Sequence, residues 1–317
     1  MPSAPFTDDQ LLLAARLSYI EELPQARIAK LVNTSQAQVS RMLALARERG
    51  LVRITVAERE PRDAELERRL RDRLGLAAVV VRTVPGLAGE DLRALVGLSA
   101  APIVAGWLGD GQRIAIAGGR TLRCLVEACR PAAPLPGLRV LQAMGQVAAV
   151  AAPADASEIG RTLATRTGGG FAALGAPAYL PDAATCRRLV AHGHVAGVLA
   201  DLARADLALV GVGTVAESLV IERGALTARD TAALRRAGAV GEILGRFFDK
   251  RGRPCTTGLE ERTVSLSLDR LAALPRAVAV AAGRDRAAAL RAAAAGGLVR
   301  EAIIDQDLAH ALLEDPS

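Results

Sequence analysis

Aromatic residues, lysines and cysteines are scarce in this 317-residue sequence. Aromatic residues make up only 2%, which argues against a stacking platform for the bases of single-stranded nucleic acid. The only lysines are Lys30 and Lys250, so Schiff-base chemistry has two candidate side chains. The four cysteines form no C-x-x-C pair, and we expect a reducing compartment rather than a disulfide framework.

Histidines and long apolar runs are scarce as well. His192 and His194 lie close together, but no second pair of ligand residues is near them in the sequence, so no metal site is expected. No apolar stretch reaches membrane-spanning length. Asp8 and Asp9 stand where a secretion signal would carry basic residues. We therefore expect a cytoplasmic protein with no membrane contact and no cofactor.

Hydrophobic residues and arginines are abundant instead. The hydrophobic fraction is 51%, and a chain of this length is long enough for two domains. The net charge of +6 permits a polyanionic partner. Between Pro24 and Arg53, Glu48 is the only acid among six basic residues, Arg27, Lys30, Arg41, Arg47, Arg49 and Arg53. Such a surface would attract phosphates, although a solvated helix face explains the charge equally well.

Residues 23–50 predict two short helices joined by a tight turn, packed on a third helix that precedes them. Pro24 suits the first position of a helix, and Asn33 tolerates left-handed backbone geometry. Ser35 and Gln38 form the S-x-x-Q pattern of a capping box at the start of the second helix. Amide and guanidinium groups there suit the edges of bases in a DNA major groove. The expected DNA-binding residues are Gln25, Arg27, Gln36, Gln38, Ser40, Arg41 and Arg47.

The stretch after Gly50, LVRITV, predicts a short strand that would make this unit winged. Residues 58–75 then predict an amphipathic linker helix, with Leu66, Leu70 and Leu74 on one side. We expect it to pair with the same helix of another chain, because DNA-binding proteins of this kind usually act as symmetric oligomers. The alternative is a helix packed on its own domain. The predicted division is a DNA-binding domain at 1–57, a linker helix at 58–75 and a C-terminal domain at 76–317.

From Leu76 onward, short β-branched runs alternate with helical stretches, which predicts an α/β fold with a parallel sheet. Three of the predicted strands end in glycine, before Gly119, Gly211 and Gly283. Ligands bind outside the carboxyl ends of parallel strands, and the first N–H groups of a helix favour an anion. Arg120, Arg284 and Arg286 stand beside these turns.

We therefore predict a pocket for a phosphate or a polyol phosphate at these glycine-ended strands, with tight strand-to-helix turns as the plain alternative. None of the three turns has a Walker sequence or dinucleotide-binding spacing. Residues 238–249, rich in glycine and ending in Phe-Phe-Asp, predict a loop with an apolar anchor. Asp249 would either accept hydrogen bonds from ligand hydroxyls or hold a turn before Gly252.

Together these motifs resemble SorC-type transcriptional regulators, a sugar-responsive family whose effector domain is similar to phosphosugar isomerases. The family's DNA-binding region is similar to LPQARIAKLVNTSQAQVSRMLALARERGLVRITV. Its effector domain resembles, in the same order, GGRTL at 118–122, ADLALVGVGT at 205–214, GAVGEILGRFFD at 238–249 and the final AVAVAAGRDRAAALRAAAAGGLVREAIID.

The resemblance implies an N-terminal helix-turn-helix domain and a Rossmann-like effector domain of the type found in phosphosugar isomerases and CoA transferases. It also implies a homotetramer that binds double-stranded operator DNA and a sugar, often phosphorylated. Glycine stands at 118 and alanine at 282, where the family often has tryptophan and glycine, and Arg286 replaces a frequent lysine. The implied effector-binding residues are Gly119, Arg120, Thr121, Gly211, Gly213, Glu217, Asp249 and Arg286.

Two other interpretations stay open at this point. One is a sugar-phosphate isomerase with an accessory DNA-binding unit, which needs an acid–base pair at the substrate carbon. Glu217, Glu242 and Asp249 are the available acids. The other is a regulator whose C-terminal domain binds nothing and only oligomerises. We expect a regulator of a carbohydrate-utilisation operon, with no catalytic residue.

Overall fold

The computed structural model divides the chain into two units, Met1–Arg59 and Glu60–Ser317. It describes residues 6–53 and 62–314. The second half of the predicted strand after Gly50, residues 54–56, lies outside these ranges, so a winged unit stays a prediction.

Three helices around one apolar core form the first unit. Their buried residues recur every three or four positions, as an amphipathic pattern requires. The helices are α1 (Asp8–Tyr19), α2 (Gln25–Leu31) and α3 (Gln36–Glu48). The core consists mainly of Leu11, Ala14, Ile28, Val39, Leu43 and Ala46. The third helix that the sequence predicts is therefore present, and it contributes to the shared core.

Local signals fix the turn between α2 and α3. Asn33 has a φ of +52°, the left-handed geometry expected of it. The Ser35 hydroxyl accepts a hydrogen bond of 3.2 Å from the Gln38 N–H and caps α3. The Gln38 side chain accepts from the Thr34 hydroxyl instead of completing the capping box. Pro24 was expected inside α2, but its extended backbone makes it the residue that precedes the helix.

A seven-stranded parallel sheet is the centre of the second unit, in the order β1-β9-β8-β5-β2-β3-β4. Its strands are β1 (Ala77–Val81), β2 (Arg113–Ile116), β3 (Arg139–Gln142), β4 (Gly170–Ala172), β5 (Leu207–Val210), β8 (Ala277–Ala281) and β9 (Glu301–Asp305). All four residues of β5 are buried, because helices cover both faces of such a sheet. The predicted α/β class is confirmed.

Helices connect and cover the strands. They are α4 (Ala64–Leu74), α5 (Gly89–Ala105), α6 (Arg120–Ala128), α7 (Ala156–Thr167), α8 (Ala183–Val190), α9 (Gly193–Leu202), α10 (Leu219–Glu222), α11 (Ala228–Arg236), α12 (Leu268–Ala272), α13 (Ala287–Ala295) and α14 (Gln306–Leu313). Two 3₁₀ turns, Glu260–Arg262 and Arg284–Arg286, also occur in the second unit.

Helix α4 corrects one expectation. Its apolar side was expected to pair with another chain, but Leu66 and Leu70 are buried in the core of the second unit. The helix packs against β1 and α14. The edge strand β1 needs a cover for its apolar side chains, and α4 supplies it. The leucine face is therefore not available to a second copy of the helix.

Residues 238–249 also differ from expectation. They form a hairpin of two antiparallel strands, β6 (Gly241–Ile243) and β7 (Arg246–Phe248), instead of a loop. Leu244 and Gly245 make its two-residue turn with φ values of +56° and +69°, the geometry that matches strand twist. Leucine rarely adopts a positive φ, so this turn has little signal in the sequence.

Candidate functional site

The three glycine-ended strands, β8, β5 and β2, are neighbours at the centre of the sheet. Their carboxyl ends border a cleft whose empty space is about 880 Å³, open solvent at its mouth included. This is the position at which parallel α/β sheets bind ligands. The three strands whose ends the sequence singled out thus lie side by side at one edge of the cleft.

Seven of the eight effector-site residues expected from the sequence line this cleft: Gly119, Arg120, Thr121, Gly211, Gly213, Glu217 and Arg286. Thr121 is buried in the first turn of α6, a helix that no side chain caps at its start. Gly213 is needed for close approach, because a Cβ there would lie 2.9 Å from Cγ of Glu242. The hairpin can therefore pack directly on the turn after β5.

Asp249 is the exception, since it lies outside the residues that line the cleft. Its carboxylate accepts hydrogen bonds from the N–H groups of Arg251 (2.9 Å) and Arg253 (3.0 Å). The Arg253 guanidinium lies 2.8 Å from the same carboxylate. These contacts, those with Arg253 first, lower the pKa of Asp249 to about 2. Asp249 therefore holds the turn before Gly252, which is the second of the two roles that the sequence allows.

Glu217 joins two arginines that come from distant parts of the chain. Its Oε2 accepts hydrogen bonds from Nη2 of Arg286 (2.6 Å) and Nη2 of Arg93 (3.2 Å). The bond from Arg286 is the main cause that lowers the pKa of Glu217. Arg93 lies on α5 and also contacts Glu90 at 3.0 Å. Arg284, which the sequence placed beside the pocket, pairs instead with Glu314 at the surface.

A second ion pair lies at the start of α7. The Asp155 carboxylate contacts the Arg223 guanidinium and accepts hydrogen bonds from the Gln146 amide (2.7 Å) and the Ala152 N–H (2.9 Å). Arg223 also donates to the carbonyl of Val150 at 2.8 Å. These contacts fasten the segment before α7 to the residues that follow α10.

Glu242 projects from the hairpin and is the most perturbed acid of the cleft. Its backbone pairs with Gly213 through two hydrogen bonds of 2.9 and 3.0 Å. Burial raises the pKa of Glu242 to about 7, against a lowering by the hydrogen bond from Ser218. At neutral pH its carboxyl group therefore exists in both protonation states, and it can donate or accept a hydrogen bond.

Sequence patterns missed Arg93, Asp155 and Arg223, which also line the cleft. None of the three follows a strand-ending glycine, the pattern that predicts the position of the pocket. Arg93 lies in the first two turns of a helix that covers the sheet, and the helical pattern does not show which side chain reaches a strand end.

The expected DNA-binding residues lie mainly on the surface of the first unit. Gln36, Gln38, Ser40, Arg41 and Arg47 are exposed on α3, and Arg27 is exposed on α2. Gln25 is half-buried. Arg47 donates a hydrogen bond of 3.1 Å to the Tyr19 hydroxyl. The opposite face of α3 holds the core, so its polar face is available to a partner.

Within residues 6–53 and 62–314, no group of three or more His, Cys, Asp or Glu residues is arranged to hold a metal ion. In the same ranges, each helix is too short or too polar to cross a bilayer.

Comparison with known proteins identifies the family. Residues 59–314 match the Sugar-bind family model, described as "Putative sugar-binding domain". The chain is also 30% identical over 313 residues to the deoxyribonucleoside regulator of Bacillus subtilis, covering 95% of this chain and 96% of the relative. The chain belongs to the SorC family of sugar-binding transcriptional regulators. It is thus a sugar-responsive, DNA-binding regulator.

Further relatives and solved structures match most of this chain or nearly all of it. The erythritol catabolism regulatory protein EryD of Brucella abortus is 30% identical over 314 residues, covering 98% of both chains. The full-length sorbitol operon regulator SorC from Klebsiella pneumoniae has the same fold, with a TM-score of 0.73 and 23% identity over 97% of this chain and 100% of that one. A DeoR family regulator from Listeria monocytogenes gives a TM-score of 0.72 and 26% identity, covering 78% of this chain and 98% of that one.

Proposed function

We propose that this regulator binds double-stranded operator DNA through a helix-turn-helix formed by α2 and α3, and binds a sugar or sugar phosphate in the cleft of its second unit. The observation that carries the proposal is the cleft at β8, β5 and β2, which collects seven of the eight effector-site residues expected from the sequence. A ligand there contacts several elements at once, and this allows it to favour one arrangement of them over another.

The shape of α3 supports the DNA-binding part of the proposal. In helix-turn-helix proteins, residues near the start of the second helix contact base edges in the major groove. Gln36, Ser40 and Arg41 are exposed in the first two turns of α3. Gln38 is partly engaged, since its side-chain oxygen accepts from Thr34. We assign Gln36 and Arg41 as the main base contacts.

The test of this assignment selects binding fragments from genomic DNA with the full chain and then compares variants. Arg41→Ala should weaken binding to a selected fragment by roughly 5- to 150-fold, the loss of one base contact of about 1–3 kcal/mol. The matched control is Arg235→Ala, which removes an exposed arginine from α11 of the other unit. Equal affinities of Arg41→Ala and the wild type would contradict the assignment.

The proposal includes a homo-oligomer, a tetramer by resemblance to the family, with DNA-binding units on half-sites roughly 34–36 Å apart or multiples of that distance. The effector changes DNA affinity only through its different affinity for the two states of the assembly. Sedimentation velocity with and without operator DNA measures the stoichiometry. A monomer on a single half-site would contradict this part of the proposal.

Sugar-phosphate isomerisation is the second candidate, favoured by one observation. Glu217 and Glu242 both line the cleft, and a carboxyl group with a pKa of about 7 suits proton transfer near neutral pH. Incubation with pentose and hexose phosphates, followed by NMR, tests it. We expect no turnover; turnover that Glu242→Gln abolishes would establish the enzyme instead.

A further inference from the structure

The cleft holds four arginines, and each of them already has a carboxylate partner. The partners lie within 4.0 Å, or form a direct hydrogen bond. The pairs are Arg93 with Glu90 and Glu217, Arg120 with Glu90 and Glu222, Arg223 with Asp155, and Arg286 with Glu217 and Asp285. The positive charge of the cleft is therefore balanced before any ligand enters.

Glu217 is central to this balance. Its Oε2 lies between the guanidinium groups of Arg93 and Arg286, whose side chains are only 12% and 10% exposed. A phosphate monoester carries a charge of about −1.5 to −2. To use these two arginines it would have to displace Glu217 or share them with it, and like charges in one partly buried site repel strongly.

The acidic side chains of the cleft are suited to hydrogen bonds with ligand hydroxyl groups. Within the described residues, Oε1 of Glu217 and Oε1 of Glu242 accept no hydrogen bond, and neither does the Thr121 hydroxyl take part in one. An ionised carboxylate such as that of Glu217 is a strong acceptor for hydroxyl donors, and the carboxyl group of Glu242 can accept or donate a hydrogen bond. The N–H groups in the first turn of α6, which no side chain caps, can donate to ligand oxygens in return.

We propose that the effector is a neutral polyhydroxylated molecule, an unphosphorylated sugar or sugar alcohol, and that Glu217 sets this preference by occupying Arg93 and Arg286. The inference rests on the proposed sugar-binding function and narrows it. Glu217 is therefore a specificity-determining residue. Its carboxylate accepts hydrogen bonds from ligand hydroxyl groups, and its ion pairs with Arg93 and Arg286 keep these arginines from binding a phosphate.

The first experiment compares neutral molecules with their own phosphate esters on the full chain. The panel is ribose, glucose, fructose and sorbitol, each with its terminal phosphate ester, and inorganic phosphate alone. Thermal shift identifies binders, because a ligand specific to the folded state raises stability, and calorimetry measures affinity. For a pair that binds, we expect the neutral member to bind at least tenfold more tightly, and we expect no shift with inorganic phosphate.

A phosphate ester that binds more tightly than its parent would overturn the inference and leave the sugar-binding function intact. A panel without any binder would count against both. The two failures are therefore distinguishable in one data set.

The second experiment tests Glu217 itself. Glu217→Gln keeps the side-chain shape but removes the charge, so it should create binding of inorganic phosphate and improve phosphate-ester affinity at least tenfold relative to the parent sugar. The control is Glu314→Gln, which frees the exposed Arg284 outside the cleft. Glu217→Ser serves if the first variant fails to fold. An unchanged preference in a folded Glu217 variant would overturn the role of this residue.

Discussion

At the scale of single residues, the strand-end pattern predicts some residues of the cleft and misses others. Gly119, Gly211 and Gly213 were expected in the site because they follow the ends of predicted parallel strands and because the family resemblance implies them, and all three line the cleft. Asp249 had two uses that the sequence could not separate, since a carboxylate serves a ligand and a turn equally well. No sequence pattern identified Arg93 as a cleft residue, because its place in the cleft depends on how α5 lies over the sheet.

Glu242 yields a prediction about pH. Its pKa is raised in the folded state to about 7, so the folded chain holds this proton more tightly than the unfolded chain does. The contribution to stability is fully present below the ordinary pKa of 4.5 and is lost as the pH rises through about 7. Glu242→Gln should remove this loss, which is about 2 kcal/mol between pH 5.5 and pH 8.5.

Urea unfolding midpoints from pH 5.5 to pH 8.5 measure the effect. Acids with lowered pKa values, such as Glu217, change their protonation at lower pH and do not affect the stability in this pH range. Glu261→Gln, an exposed position, is the matched control. Parallel curves for the wild type and Glu242→Gln would show that Glu242 does not ionise in this window.

At the scale of elements, amphipathic patterns predicted the helices well but not their partners. The leucines of α4 have the same spacing whether they meet another chain or the edge strand of their own sheet. The choice depends on β1, whose apolar side chains α4 covers. The hairpin β6–β7 was missed because its turn contains a leucine with positive φ, for which no turn signal exists in the sequence.

Helix α4 yields the second prediction. Leu70 has no exposed surface, so Leu70→Ala should lower the free energy of unfolding by about 2–5 kcal/mol through a cavity in the second unit. Arg69→Ala, on the exposed side of the same helix, should change it by less than about 0.5 kcal/mol. Denaturant unfolding at two protein concentrations measures both. A loss in Leu70→Ala that disappears at high concentration would instead indicate an interface between chains.

For the whole molecule, the class of fold followed from the alternation of strands and helices, but the strand order did not. The pairing of β1 with β9 joins residues more than two hundred positions apart, and no local pattern encodes such a partner. The family resemblance added an expected type of effector domain, because its motifs occur in a fixed order along the chain, but it gave no strand order either.

Charge on the first unit yields a prediction for the assembled regulator. Six basic residues cluster near α2 and α3, although Arg49 pairs with Asp8 at 2.7 Å. If two units together neutralise roughly 6–10 phosphates, operator affinity should fall by about 10³–10⁵ between 50 and 200 mM salt. Fluorescence anisotropy on a selected fragment gives the slope. A slope near zero would indicate that DNA binding does not use this surface.

The order of the strands also has a consequence for biosynthesis. Strand β1 pairs only with β9 within the described sheet, and α4 rests on β1 and α14. Helix α4 and strand β1 therefore stay undocked on the ribosome until residues beyond 300 have emerged. The three helices of the first unit need only local contacts and fold early. A nascent chain thus carries a folded first unit well before the sheet of the second unit is complete.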